Sequence, residues 1–94
     1  MLEIEVTRDT AASDDPMRFH VVVHEDGSST EHEVTVSAAD LVRLGSGRSP
    51  EAFVGRCFGF LLEREPKESI LRAFDVGVIA TYFPEFEREI SRSS

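Results

Sequence analysis

The spacing of apolar residues changes once along this chain, near residue 37, and that change limits the possible folds most. Up to that point apolar and polar side chains alternate in three short stretches, which is typical of half-buried β-strands. Beyond it apolar side chains recur every three or four residues, as in amphipathic helices. Strands followed by helices predict an α+β fold in which helices cover one face of a sheet. We expect one domain, 1–94, with a three-stranded antiparallel sheet within 1–37 and three to five helices within 37–91.

Two of the predicted strands, Phe19–Glu25 and Glu31–Ser37, form a β-hairpin in this interpretation. A four-residue loop at Asp26–Ser29 predicts a register in which Val21 lies opposite Val34. The first predicted strand, in which Leu2, Ile4 and Val6 alternate with Glu3, Glu5 and Thr7, precedes a predicted solvated loop at Arg8–Met17. The core face is predicted to comprise Phe19, Val21, Val23, Val34 and Val36, with His32 partly buried near the turn. The opposite, exposed face is predicted to comprise Glu3, Glu5, His20, Val22, His24, Glu31, Glu33 and Thr35.

Capping residues and prolines divide the second half into helices. Ser37 and Ser49 are predicted N-caps, and the helix after Ser49 is the longest and most apolar. Pro66 is predicted to stop that helix, and Lys67–Phe74 to form another short one. Asp75 is predicted to cap a further helix. We expect the tail, Ser91–Ser94, to fray.

The charge balance excludes some classes of function. The chain has a net charge of −8 and a pI of about 4.7, which opposes binding to nucleic-acid phosphates and anionic membranes. Residues 1–47 carry three arginines and ten acidic residues, a net charge of −7, whereas residues 48–94 carry −1.

No apolar run approaches the roughly 20 residues of a membrane span. The N-terminus, Met1–Thr10, lacks the pattern of a secretory signal, so we expect a cytoplasmic protein.

Histidines and acidic residues of the hairpin form the nearest approach to a chemical site. In the expected register His24 lies opposite Glu31 and diagonal to Glu33, a grouping that could hold a metal ion. His20 is too far along the strand, at about 13 Å from His24, to join the same ligand set. A cross-strand imidazole and carboxylate pair is the ordinary interpretation of the same residues. We expect no catalytic residue and no cofactor, since no phosphate loop, nucleophile elbow or zinc-protease motif occurs.

The long helix carries two further features. The single cysteine, Cys57, lies among apolar residues and is predicted to be an unreactive core residue of a protein from a reducing compartment. Gly55 and Gly59 form a small-residue stripe that predicts close approach of another element, within the chain or from a second subunit. An aromatic group near the C-terminus is predicted to be core and lid, and to mark an interface where it is exposed. It comprises Phe74, Tyr82, Phe83 and Phe86.

One stretch, FLLEREPKESIL at Phe60–Leu71, together with Phe74, Asp75 and YFPE at Tyr82–Glu85, resembles a group of small uncharacterised bacterial proteins with no assigned activity. The resemblance covers the C-terminal half of the chain. It implies a bacterial, cytoplasmic protein and no particular catalytic or binding residue.

The sequence favours a non-enzymatic role over an enzymatic one. The first hypothesis is a small acidic protein-binding or regulatory module that meets a protein partner, or a second copy in a homodimer. Its contact surface would be an exposed aromatic edge of the C-terminal helices or the acidic sheet face with Glu3, Glu5, Glu31 and Glu33. The alternative is a small metal-binding or hydrolytic protein that uses His24, Glu31 and Glu33.

Overall fold

A computed structural model describes residues 1–11 and 13–92, and it confirms an α+β architecture. Ala12 of the predicted loop, and Ser93 and Ser94 of the predicted frayed tail, lie outside the described residues. The strands are β1 (Leu2–Arg8), β2 (Met17–Glu25), β3 (Ser28–Val36) and β4 (Ala73–Asp75). The helices are α1 (Ala38–Leu44), α2 (Pro50–Leu62), α3 (Ile79–Tyr82) and α4 (Phe86–Ile90), with 3₁₀ turns at Lys67–Ser69 and Val76–Val78.

The sheet has four strands in the order β1-β2-β3-β4, so the prediction of three antiparallel strands is incomplete. β4 pairs with β3 in parallel, through Val34 opposite Phe74. The predicted helix Lys67–Phe74 is wrong: the segment forms a 3₁₀ turn and then an extended strand. A backbone hydrogen bond just before β4 joins the same two segments, since the Glu33 N–H of β3 donates to the Arg72 carbonyl at 2.7 Å.

The hairpin between β2 and β3 turns through two residues, Asp26 and Gly27, and not through the expected four. Their φ angles of 55° and 80° fit the left-handed backbone of a type I′ turn. The register is therefore shifted by two residues from the predicted one, and Val21 lies opposite His32 instead of Val34. Each face keeps its predicted side chains because side-chain direction along a strand repeats every two residues.

The predicted core face is confirmed. Its five apolar residues and His32 are buried under the helices, and α2 contributes Phe53, Val54, Cys57, Phe58, Phe60 and Leu61 to the same core. Met17 corrects the predicted solvated loop: it begins β2, lies opposite Val36 and is buried. Phe60 packs edge-on against Phe86 at 5.1 Å between ring centroids, which joins α2 to α4.

The predicted helix starts are confirmed by their hydrogen bonds. The Ser37 hydroxyl accepts from the Asp40 N–H, and the Ser49 hydroxyl accepts from the Ala52 N–H. α2 nevertheless ends at Leu62, before Pro66. None of the helices in the described ranges is both long and apolar enough to cross a membrane.

Gly55 and Gly59 do not serve the close approach within the chain that their spacing predicts. No heavy atom outside the helix lies within 4 Å of a Cβ built at either position. Both glycines instead line an open depression between α2 and α4 with Arg56 and Ile90.

Candidate binding groove

An apolar groove lies where the end of α2, the segment leading into β4, and α3 meet. Its volume is about 330 Å³. The Asp75 carboxylate fixes the end of β4, which lies between two of these segments in the sequence: it accepts from the Gly77 N–H at 2.9 Å and from the Thr35 hydroxyl of β3 at 2.7 Å. The lining comprises Leu61, Glu65, Ser69, Ile70, Leu71, Phe74, Val78, Ile79, Tyr82 and Phe83.

Three large apolar side chains of this lining remain exposed to solvent. The exposed fractions are 49% for Leu71, 37% for Val78 and 65% for Tyr82. Tyr82 comes from α3, Val78 from the 3₁₀ turn that runs directly into it, and Leu71 from the segment before β4, so both sides of β4 in the sequence expose apolar surface at this groove. Contiguous exposed apolar surface of this kind marks interaction sites on soluble domains.

His32 anchors the backbone of one groove segment. Its Nδ1–H donates to the Leu71 carbonyl at 2.8 Å, and its Nε2 hydrogen-bonds the Thr30 hydroxyl at 2.8 Å. The ring also packs against Phe58, with 5.3 Å between centroids. The prediction of a partly buried, hydrogen-bonded histidine is confirmed, with burial almost complete at 2% exposure. A core imidazole thus holds the chain at the point where Leu71 turns its side chain into the groove.

Among the residues that the structure describes, Glu65 is the one carboxylate in the groove lining. It is half-buried, and its side chain makes no ion pair or hydrogen bond with the described residues. The adjacent Arg64 does not neutralise it, because its guanidinium stacks 3.6 Å above the Phe60 ring and contacts Glu85 at 3.0 Å. The groove therefore combines apolar walls with one uncompensated negative charge.

The predicted His24, Glu31 and Glu33 grouping is wrong in its geometry. The two-residue register shift places His24 opposite Ser29, and its imidazole contacts Glu5 of β1 instead. His20, which the expected register set aside, takes the central position. Its Nδ1 contacts Glu33 Oε1 at 2.9 Å and its Nε2 contacts Glu31 Oε1 at 3.0 Å.

The arrangement around His20 is that of an ion pair. The hydrogen bond with Glu33 is the main cause of the raised pKa of His20, and Glu31 adds to it. Both ring nitrogens face carboxylate oxygens, so neither lone pair is directed at a shared metal position. Within residues 1–11 and 13–92, no three histidine, cysteine or acidic side chains are grouped so that they could hold a metal ion.

The four acidic residues predicted as an interaction surface all lie exposed on the outer sheet face, as expected. Three of them contact histidines: Glu31 and Glu33 contact His20, and Glu5 contacts His24. Glu3 makes no ion pair with any described residue.

Two further buried residues with reactive side chains, Cys57 and Lys67, lie outside the groove lining and the contacts of His20. Cys57 is completely buried, and burial raises the pKa of its thiol, as expected for a core cysteine. Lys67 is buried beside the groove segments, and its Nζ contacts Glu68 at 2.7 Å, a contact that lowers the pKa of that carboxyl.

No family model, curated protein or solved structure matches this chain. The resemblance to small bacterial proteins thus stays a prediction, and the groove has to be interpreted from its own residues. The aromatic prediction is partly confirmed, because Phe86 is fully buried while Tyr82 is largely exposed. Sequence reasoning missed Leu71 and Val78. Their only signal is an apolar side chain in a short segment without a clear period.

Proposed function

We propose that this chain is a protein-binding module whose groove holds apolar side chains of a partner segment. The observation that supports the proposal is the convergence of Leu71, Val78 and Tyr82, all exposed, around a cavity of about 330 Å³. Small-molecule pockets cover about 300–1,000 Å³, so this volume is at the low end and suits a few anchoring side chains. Tyrosine is also among the residues enriched at the centres of protein interfaces.

The negative charge of the groove and of the whole chain favours a partner segment with basic residues. Glu65 supplies a negative charge at the groove wall, and the chain as a whole carries −8. A lysine or arginine next to the partner's apolar anchors would pair with Glu65 and would be attracted by the overall field. The proposed partner segment is therefore apolar and basic, and its binding weakens as salt increases.

The acidic sheet face is the weaker of the two predicted contact surfaces. Glu5, Glu31 and Glu33 already contact histidines within the chain, so a partner's basic groups would have to compete with those contacts. Glu65 in the groove makes no such contact with the described part of the chain. A regulatory role and a homodimer stay predictions.

The test is a selection of displayed random peptides on the folded chain, followed by affinity measurement on variants. We expect the selected peptides to combine apolar anchors with lysine or arginine. The double variant Leu71→Ser, Tyr82→Ser should weaken their binding about tenfold or more, since burial of a large side chain contributes about 1.5–3 kcal/mol. Glu65→Gln should weaken it less and should reduce its salt dependence.

Val42→Ser provides the matched control. Val42 on α1 is 84% exposed and does not line the groove, so the substitution removes comparable apolar surface elsewhere. Peptides that bind the groove variant and the Val42 variant equally well would refute the proposal, as would selected peptides without apolar anchors.

A further inference from the structure

The outer edge of β1 presents unpaired backbone groups at every second residue, as far as residues 1–11 and 13–92 show. β1 is the first strand of the sheet, and among these residues it pairs on one side only, with β2. The Asp9 N–H donates to the Arg18 carbonyl at 2.8 Å, so these two opposite residues form a hydrogen-bonded pair. Because hydrogen-bonded pairs alternate along an antiparallel ladder, Thr7, Glu5 and Glu3 are also bonded to β2. The intervening residues therefore direct their N–H and C=O groups away from β2. These residues are Leu2, Ile4, Val6 and Arg8.

This edge lacks several of the features that usually prevent strand addition, although it carries the charged residues Glu3, Glu5 and Arg8. Leu2–Arg8 contains no proline and no lysine, and its pairing with β2 runs without a bulge over seven residues. The opposite edge of the sheet differs, because β4 has only three residues. β1 is thus the edge long enough to accept another strand.

The row of apolar side chains on the core face of the sheet continues onto β1, where the helices cover it only in part. Val21 and Val23 of β2 are completely buried, whereas Ile4 and Val6 beside them are only partly buried. Leu2 is 45% exposed. An additional strand with apolar residues on this face would extend the row and cover the exposed surface.

The acidic residues of β1 disfavour a second copy of the chain as that strand. In a symmetric antiparallel pair centred on the middle of β1, Glu5 lies opposite its own copy. A pair centred on Ile4 places Glu3 opposite the other copy's Glu5, and a pair centred on Val6 places Glu3 opposite the other copy's Asp9. Each arrangement sets like charges directly across the new ladder, which destabilises it.

We propose that the β1 edge binds an extended segment of a partner protein in which apolar and basic residues alternate. The segment's backbone pairs with the outward groups of β1, and its apolar side chains extend the row of Ile4 and Val6. Its lysine or arginine side chains lie on the outer face beside Glu3, since Glu5 already contacts His24. The surface is separate from the groove, which includes Phe74 of β4 at the opposite edge of the sheet.

The test uses a synthetic peptide of alternating valine and lysine, about eight residues long. NMR-detected hydrogen exchange of the chain is compared with and without the peptide. The amides of Ile4, Val6 and Arg8 should become about tenfold or more protected, while those of Glu5 and Thr7, already bonded to β2, should change little. Protection elsewhere, or none at β1, would overturn the proposal.

Charge variants separate strand addition from general attraction to an acidic protein. Glu3→Lys should weaken the valine and lysine peptide about threefold or more. Glu63→Lys changes the net charge equally at an exposed position on α2's C-terminal side, and it should leave affinity nearly unchanged. Equal losses in both variants would contradict the proposal, as would a free chain that dimerises through β1.

The proposal for the β1 edge and the proposal for the groove can be refuted separately. The groove variant Leu71→Ser, Tyr82→Ser should retain full affinity for the alternating peptide. Loss of that affinity would show that the peptide occupies the groove and would refute the edge site.

Discussion

The imidazole of His20 contacts Glu33 through Nδ1 and Glu31 through Nε2, and these contacts favour its protonated form. Because the pKa of His20 is raised in the folded chain, its contribution to stability is complete below the ordinary histidine value of 6.5. That contribution is lost as the pH rises through the raised value. The pair is exposed, so the contribution should stay below about 1 kcal/mol.

We therefore expect chemical denaturation to show a small fall in unfolding free energy as the pH rises from 6.5 through the raised pKa of His20. The variant His20→Gln should lack this part of the pH dependence. An NMR titration should place the His20 pKa above 6.5. A value below 6.5, or an unchanged pH profile in His20→Gln, would contradict the ion pair.

Cys57 is a second residue whose environment sets a measurable property. Its side chain is completely buried, and burial raises the pKa of the thiol, so both access and thiolate formation are suppressed. A thiol reagent should label it only when the chain unfolds, at a rate that follows the denaturant dependence of unfolding. Rapid labelling of the native chain would show that α2 does not pack as described.

The β2–β3 hairpin shows how far the sequence predicts an element. The residues Asp26 and Gly27 favour a two-residue type I′ turn, yet the longer polar run around them also suits a four-residue loop. The two alternatives differ by a shift of two residues, so burial alone does not distinguish them. The core face is therefore predicted correctly, whereas the partner of His24 is not.

β4 and the groove depend on contacts that no local pattern reveals. A strand of three residues has too short a period to recognise, and it forms because β3 offers unpaired backbone groups to Ala73–Asp75. Leu71 and Tyr82 lie on either side of β4 in the sequence, and both line the groove because β4 pairs with β3. The candidate site was thus predictable as an exposed aromatic edge but not as a set of residues.

Replacing either of two glycines by alanine is predicted to change the stability of the chain, in opposite directions. Gly27 has a φ of 80°, and Gly27→Ala should destabilise the hairpin by about 1 kcal/mol. Gly55 lies inside α2 with open space at its Cβ position, so Gly55→Ala should stabilise the chain by about 0.5–1 kcal/mol. Thermal and chemical unfolding of both variants measures this. Destabilisation by Gly55→Ala would mean that another element does approach the helix there.

At the scale of the whole molecule, helices cover one face of the sheet, and the two proposed binding surfaces lie at its opposite edges. The groove adjoins β4, and the strand-accepting edge is β1. Both surfaces combine exposed apolar side chains with carboxylates, Glu65 at one and Glu3 at the other. The net charge of −8 adds a long-range attraction for basic partners at either surface.

The groove proposal is tested most directly by intermolecular NOEs between a selected apolar and basic peptide and the isotope-labelled chain. We predict NOEs from the peptide's apolar side chains to the methyl groups of Leu71 and Val78 and to the ring of Tyr82. NOEs confined to the outer sheet face around His20 and Glu31, with none to those three groove side chains, would contradict it.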